Sequence, residues 1–131
     1  MPERPLSPHL SVYKLSKYTL ATSILNRIAG LAVSAGLIAL AWWLIAAASG
    51  ASAYARASEV LGSGAFKVLY ALLLIAFSYH LVAGLRHLVW DTGRYMERSQ
   101  SRRSAGLVVG FGIALAIFFI YLAFFCGARA S

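Results

Sequence analysis

Apolar residues gather along this chain in three long runs, and polar residues return only in the short stretches between them. The runs cover about residues 23–48, 65–90 and 104–126. Each is longer than the roughly 20 residues an α-helix needs to cross the hydrocarbon core of a bilayer. None alternates with period two, so strands of a membrane barrel are excluded. Helices satisfy their own backbone hydrogen bonds in lipid, and the pattern predicts three of them. The predicted fold is therefore all-α, an integral membrane protein in which residues 1–131 form a single domain. Residues 1–21 mix polar and apolar positions around Pro5 and Pro8, which disfavour helix, and Tyr13 and Tyr18 suit headgroup level. This segment reads as an interfacial or partner-contacting arm. The stretch of about residues 49–64 is rich in Ala, Ser and Gly and reads as a loop without chemistry.

Composition agrees with the pattern. Hydrophobic residues make up 60% and charged residues 12% of 131 positions. A soluble domain of that size has too much surface to hide so much apolar area. The net charge is +8, but its placement says more. Nine of the twelve basic residues cluster at one side of the predicted threading: Arg4, Lys14, Lys17 and Arg27, then Arg86, Arg94, Arg98, Arg102 and Arg103. Arg56, Lys67 and Arg129 fall on the other. The positive-inside rule places the N-terminus and the second loop in the cytoplasm, or an equivalent matrix, and the C-terminus outside. Because the arginines flank membrane spans, anionic lipid explains them and a nucleic-acid partner is not called for. Trp42, Trp43, Phe66 and Tyr70 mark the outer interface, and Trp90 and Tyr95 the inner one.

The first run is about twice the length of a signal-peptide core, so it is read as a retained span despite the Ala-Ser-Ala at residues 51–53. Cys126 is the only cysteine, which excludes an intrachain disulfide, a Cys-x-x-Cys-His haem attachment and a cysteine-ligated iron–sulfur cluster within this chain. It reads as a small apolar filler. Gly106 and Gly110 form a small-xxx-small pattern that permits close helix contact in the third run.

Three polar features stand out against this apolar background. His80 lies deep in the second run, where an ionisable side chain is costly unless paired. His80, Gly84, His87 and Asp91 fall within an arc of about 60° on one helix face. Ser23, Arg27, Gly30 and Ser34 share a polar, small face of the first helix, which should meet protein or cofactor rather than lipid. His80 reads as an interhelical hydrogen-bonding or proton-handling group, or as a metal or haem ligand. Gly84, one turn away, leaves room for a flat macrocycle. His87 lies about 10 Å further along and cannot reach the same iron. The first and third helices hold no histidine, so a haem with two histidine ligands would need its second from another chain. Antiparallel threading brings Ser23 and Arg27 toward His87, Trp90 and Asp91, a polar pocket at the membrane edge suited to a small carbonyl-bearing lipid-soluble molecule. The alternative is that Arg27 snorkels and pairs with Asp91.

The blocks Arg4-Pro-Leu-Ser-Pro-His-Leu-Ser-Val-Tyr13, Ser23-Ile-Leu-Asn-Arg-Ile-Ala-Gly30 and His80-Leu-Val-Ala-Gly-Leu-Arg-His-Leu-Val-Trp-Asp91 resemble the cytochrome b membrane-anchor subunit of succinate dehydrogenase, over nearly the whole chain. The resemblance implies that His80 is an axial ligand of haem b, with the other ligand on a second anchor subunit. It implies that Ser23 and Arg27 contribute to a ubiquinone-binding pocket, with His87, Trp90 and Asp91 as further pocket, proton or propionate contacts. It also implies a flavoprotein subunit carrying FAD and an iron–sulfur subunit, which oxidise succinate, so that this chain holds no catalytic residue of its own. The expected setting is the respiratory chain and tricarboxylic acid cycle, in a bacterial inner membrane rather than a mitochondrial one. Many relatives have histidine, associated with a haem propionate, where this chain has Asn26. The competing readings are the anchor of a fumarate reductase and a non-enzymatic membrane scaffold.

Overall fold

The computed structural model describes residues 17–93 and 98–126, and these are helical almost throughout. Helix α1 is Lys17–Ala48, α2 is Ala51–Leu61, α3 is Gly64–Asp91 and α4 is Arg98–Tyr121, continued by a single π-helical turn at Leu122–Cys126. Among the described residues, three helical stretches are long and apolar enough to cross a membrane: Leu20–Ala48, Gly64–Asp91 and Ser99–Cys126. At about 1.5 Å per residue each exceeds the roughly 30 Å of hydrocarbon, which leaves polar ends at headgroup level. The expected arm at residues 1–16, including Pro5, Pro8 and Tyr13, lies outside the described residues, as do Arg94, Tyr95 and Arg129. The last residues assigned to that arm, from Lys17 on, are already the first turns of α1.

Packing is inverted relative to a soluble protein. The buried apolar positions are mostly small: Ala29, Ala46, Ala57, Ala83, Ala105 and Ala116, with Leu61 and Val108. Large side chains face outward, with Leu31 and Ile38 each 73% exposed. Lipid tails are as apolar as leucine, so no hydrophobic gain draws Leu and Ile inward, and small residues let helix backbones approach instead. Helix α3 is central, packed against α1 on one side and α4 on the other. Its Ser78 is fully buried and satisfies its hydroxyl locally, donating to the Leu74 carbonyl at 2.7 Å.

The α3–α4 seam uses Ala105, Val108, Gly112 and Ala116, spaced by three and four residues so that they share a face. A Cβ on Gly112 would stand 3.4 Å from the Tyr79 Cα, so glycine here sets how closely the helices meet. Gly106 and Gly110 take no part in this seam, since a Cβ on either would meet nothing within 4 Å.

The stretch expected to be a loop contains α2. Alanine, present at every second position from Ala51 to Ala57, is the strongest helix former and decides the matter where patterning is weak. Ala57 and Leu61, one turn apart, are buried, and Tyr54 lies 5.7 Å from the ring of Trp43 on α1. Gly50 enters the helix at φ 116°, a conformation that favours glycine. The polar residues before the third apolar run are also helical. Helix α4 begins at Arg98 rather than at Ser104, and its first turns supply partners used by α3.

Candidate functional site

His80 faces α1, not lipid. Its ring is partly buried against Gly30, where a Cβ would stand 3.1 Å from Cε1. Its Nδ1 lies 3.2 Å from the main-chain carbonyl oxygen of Asn26, one turn before Gly30. A carbonyl only accepts, so Nδ1 carries the proton. In the neutral ring Nε2 then keeps its lone pair, the state in which imidazole binds a metal. Gly84, one turn along α3, opens on empty space. An imidazole nitrogen that keeps its lone pair, next to a glycine with nothing within 4 Å of its would-be Cβ, would suit a haem iron. Among the described residues no three His, Cys, Asp or Glu side chains gather to hold a metal ion.

The Asp91 end of the bundle carries a second cluster. The Arg86 guanidinium lies 3.9 Å over the ring of Trp90, and the His87 ring meets the same indole edge-on at 5.3 Å. Arg86 also crosses to α4. Its Nε donates to the Ser104 hydroxyl at 2.9 Å, and its Nη2 to the Ser101 carbonyl at 2.9 Å and hydroxyl at 3.3 Å. Ser104 in turn donates to the Ser101 carbonyl at 3.0 Å. Arg86 stands about 120° around α3 from His80, which explains why one helix serves two neighbours.

On α1, Ser23 is partly buried and Arg27 exposed, and Asp91 on α3 is exposed. Among the described residues no hydrogen bond or ion pair joins Ser23 or Arg27 to His87, Trp90 or Asp91. The α1 groups that do reach α3 are the Thr22 carbonyl, which accepts from the Tyr79 hydroxyl at 3.0 Å, and the Asn26 carbonyl. Thr22, Asn26 and Gly30 recur every four residues. Arg27 is about 100° around the helix from Asn26, and its side chain is exposed.

Sequence reasoning passed over Arg86 and the Asn26 carbonyl. The first had a signal, since an arginine inside a span at that angle from His80 needs partners on a different helix. The second had none, because a main-chain group carries no residue-type signature. The Asn26 side chain is a separate matter, its Oδ1 being buried without a partner among the described residues.

Replacing Arg86 with alanine is expected to loosen the α3–α4 join. Hydrogen bonds from a charged donor contribute about 1.5–3 kcal/mol and the ring stack about 0.5–1 kcal/mol at a partly exposed site. A loss of about 2 kcal/mol or more should appear as a lower thermal-inactivation temperature of the assembled protein. Arg86→Lys should recover only part of it, since an ammonium cannot lie flat on the indole while spanning both serines.

The chain matches the family described as "Succinate dehydrogenase/Fumarate reductase transmembrane subunit" over residues 1–120. It is similar to the succinate dehydrogenase cytochrome b556 subunit of Paracoccus denitrificans, 42% identical over 123 residues, covering 90% of this chain and 94% of the relative. The cytochrome b556 subunit of Rickettsia felis is 38% identical over 91 residues, 70% of this chain and 69% of the relative. The mitochondrial cytochrome b560 subunit of Bos taurus is 35% identical over 108 residues, 81% of this chain and 63% of the relative.

Proposed function

This chain belongs to the transmembrane-subunit family of succinate dehydrogenase and fumarate reductase, and from that premise we propose that it anchors a succinate:ubiquinone oxidoreductase, holds haem b with a second anchor subunit, and forms part of the ubiquinone-reduction site. The observation that supports the reading is the His80 imidazole, held against α1 through Nδ1, which leaves the Nε2 lone pair able to bind a metal. Succinate oxidation belongs to the flavoprotein and iron–sulfur partners, which deliver electrons to the quinone. When bound, haem b supplies a one-electron reservoir between the two anchor subunits.

The rest of the mechanism lies in this chain's own side chains. Ser23 donates a hydrogen bond to one quinone oxygen. Arg27 places fixed positive charge where negative charge develops on reduction, which lowers the barrier because little reorganisation is needed. His87 and Asp91, exposed at the same end, carry protons from the aqueous side. The cluster of basic residues sets this end, the N-terminus and the second loop in the cytoplasm of a bacterium, with the spans in the inner membrane. The exposure of Arg27 supports a pocket that a partner subunit completes. The relatives named are succinate dehydrogenases, which favours the direction from succinate to quinone over the fumarate reductase direction.

A reduced-minus-oxidised spectrum of the purified complex tests this. A low-spin b-type signal that responds to succinate is expected. A complex with no Soret band and no quinone-dependent turnover would instead leave a membrane scaffold. Expressed alone, the chain should be haem-poor and readily degraded, because its second axial ligand and the cover for its polar α1 face come from elsewhere. A haem-replete, folded product from this chain alone would contradict the shared-haem arrangement.

A further inference from the structure

We infer that α1 sets the donor strength of the axial ligand: Gly30 gives the His80 ring room to lie on the α1 backbone, and the Asn26 carbonyl draws on its Nδ1 proton. This rests on the haem reading above and adds a positioning role for two residues that do not touch the iron.

The chain of cause starts at the backbone. A helical carbonyl has two lone pairs, so the Asn26 oxygen can accept from His80 in addition to its place in the α1 ladder. The ring reaches that oxygen only by lying close to α1. At residue 30 the space is tight, since a Cβ would stand 3.1 Å from Cε1, 3.5 Å from Nδ1 and 3.8 Å from Nε2. Alanine is the better helix former in mid-helix, so glycine here answers to the ring and not to the helix. The Nδ1–oxygen distance of 3.2 Å is at the long end for an N–H···O bond. A Cβ that pushed the ring away by a few tenths of an ångström would take the bond out of range.

Drawing on the Nδ1 proton raises electron density at Nε2 and makes it a stronger ligand. A stronger donor favours ferric over ferrous iron and so lowers the reduction potential. Loss of the contact therefore moves the potential upward. The Asn26 side chain plays no part in this, because the contact is through the main chain. Substitutions at residue 26 that keep the helix should spare the effect, whereas a single added carbon at residue 30 should remove it.

The test is a potentiometric titration of haem b in the assembled complex carrying Gly30→Ala. The haem should remain low-spin, and its potential should rise by about 59 mV, a tenfold change in a one-electron equilibrium. Retained haem with an unchanged potential overturns the inference. Should the variant fail to assemble, electron–nuclear double resonance on the unaltered ferric complex decides. A hydrogen-bonded exchangeable proton on the axial imidazole from this chain is expected, and a free or missing one overturns the proposal. His80→Ala separates the two levels. A low-spin spectrum that survives it unchanged refutes the ligand assignment itself, whereas haem lost there and indifferent to Gly30→Ala refutes only the tuning.

Discussion

His80→Ala is expected to abolish the low-spin haem b spectrum of the assembled complex, or to convert it to a high-spin form. The side chain is the one group of the second span that combines depth in the membrane with a contact fixing its tautomer. On the proposed ligand assignment, removing it would take away an iron–nitrogen bond that no neighbouring histidine among the described residues could replace. His87 lies about 10 Å along the same helix and its ring is engaged with Trp90. The fold should tolerate the change better than the cofactor does. The Asn26 carbonyl retains its place in the helix, and the truncation leaves a ring-sized space beside Gly30. Added imidazole should enter that space and restore part of the low-spin signal. A spectrum and midpoint potential identical to those of the unaltered complex would remove His80 from the iron.

Arg27→Leu should separate the two activities of the complex. Succinate oxidation by a soluble artificial acceptor should remain largely intact, because that chemistry occurs on partner subunits. Ubiquinone reduction should fall at least tenfold, equivalent to about 1.4 kcal/mol of lost transition-state stabilisation. Ser23→Ala should act in the same direction but more weakly, since a neutral hydroxyl contributes less than a charge-assisted donor. The placement of Arg27 supports a ligand role over a structural one. It is exposed, and no ion pair with Asp91 holds it among the described residues. A structural arginine in this chain looks like Arg86, which is tied to two serines and an indole. If both activities of Arg27→Leu fall together in correctly assembled complex, Arg27 supports assembly and the quinone assignment is lost.

What the sequence determined by itself was everything that depends on long-range composition along one strand of chain. The three spans follow from apolar run length, because the bilayer thickness imposes a minimum that no short-range detail can offset. The stripe of His80, Gly84, His87 and Asp91 follows from the helical repeat alone. Helix α2 escaped because its Ala-Ser composition satisfies helix and loop alike, and only the burial of Ala57 and Leu61 against neighbouring helices decides between them. The α3–α4 seam escaped for a related reason. Small residues lie on several faces of α4, and the Gly106–Gly110 pair is as plausible on spacing as the Ala105–Val108–Gly112–Ala116 face that packs. The choice depends on the rotation of one helix against another, which periodicity within a single helix does not contain. The same limit applies to the site. Sequence could mark His80 as needing a partner, but the partner is a main-chain carbonyl 54 residues away, and the pairing exists only once α1 and α3 lie side by side with glycine between them.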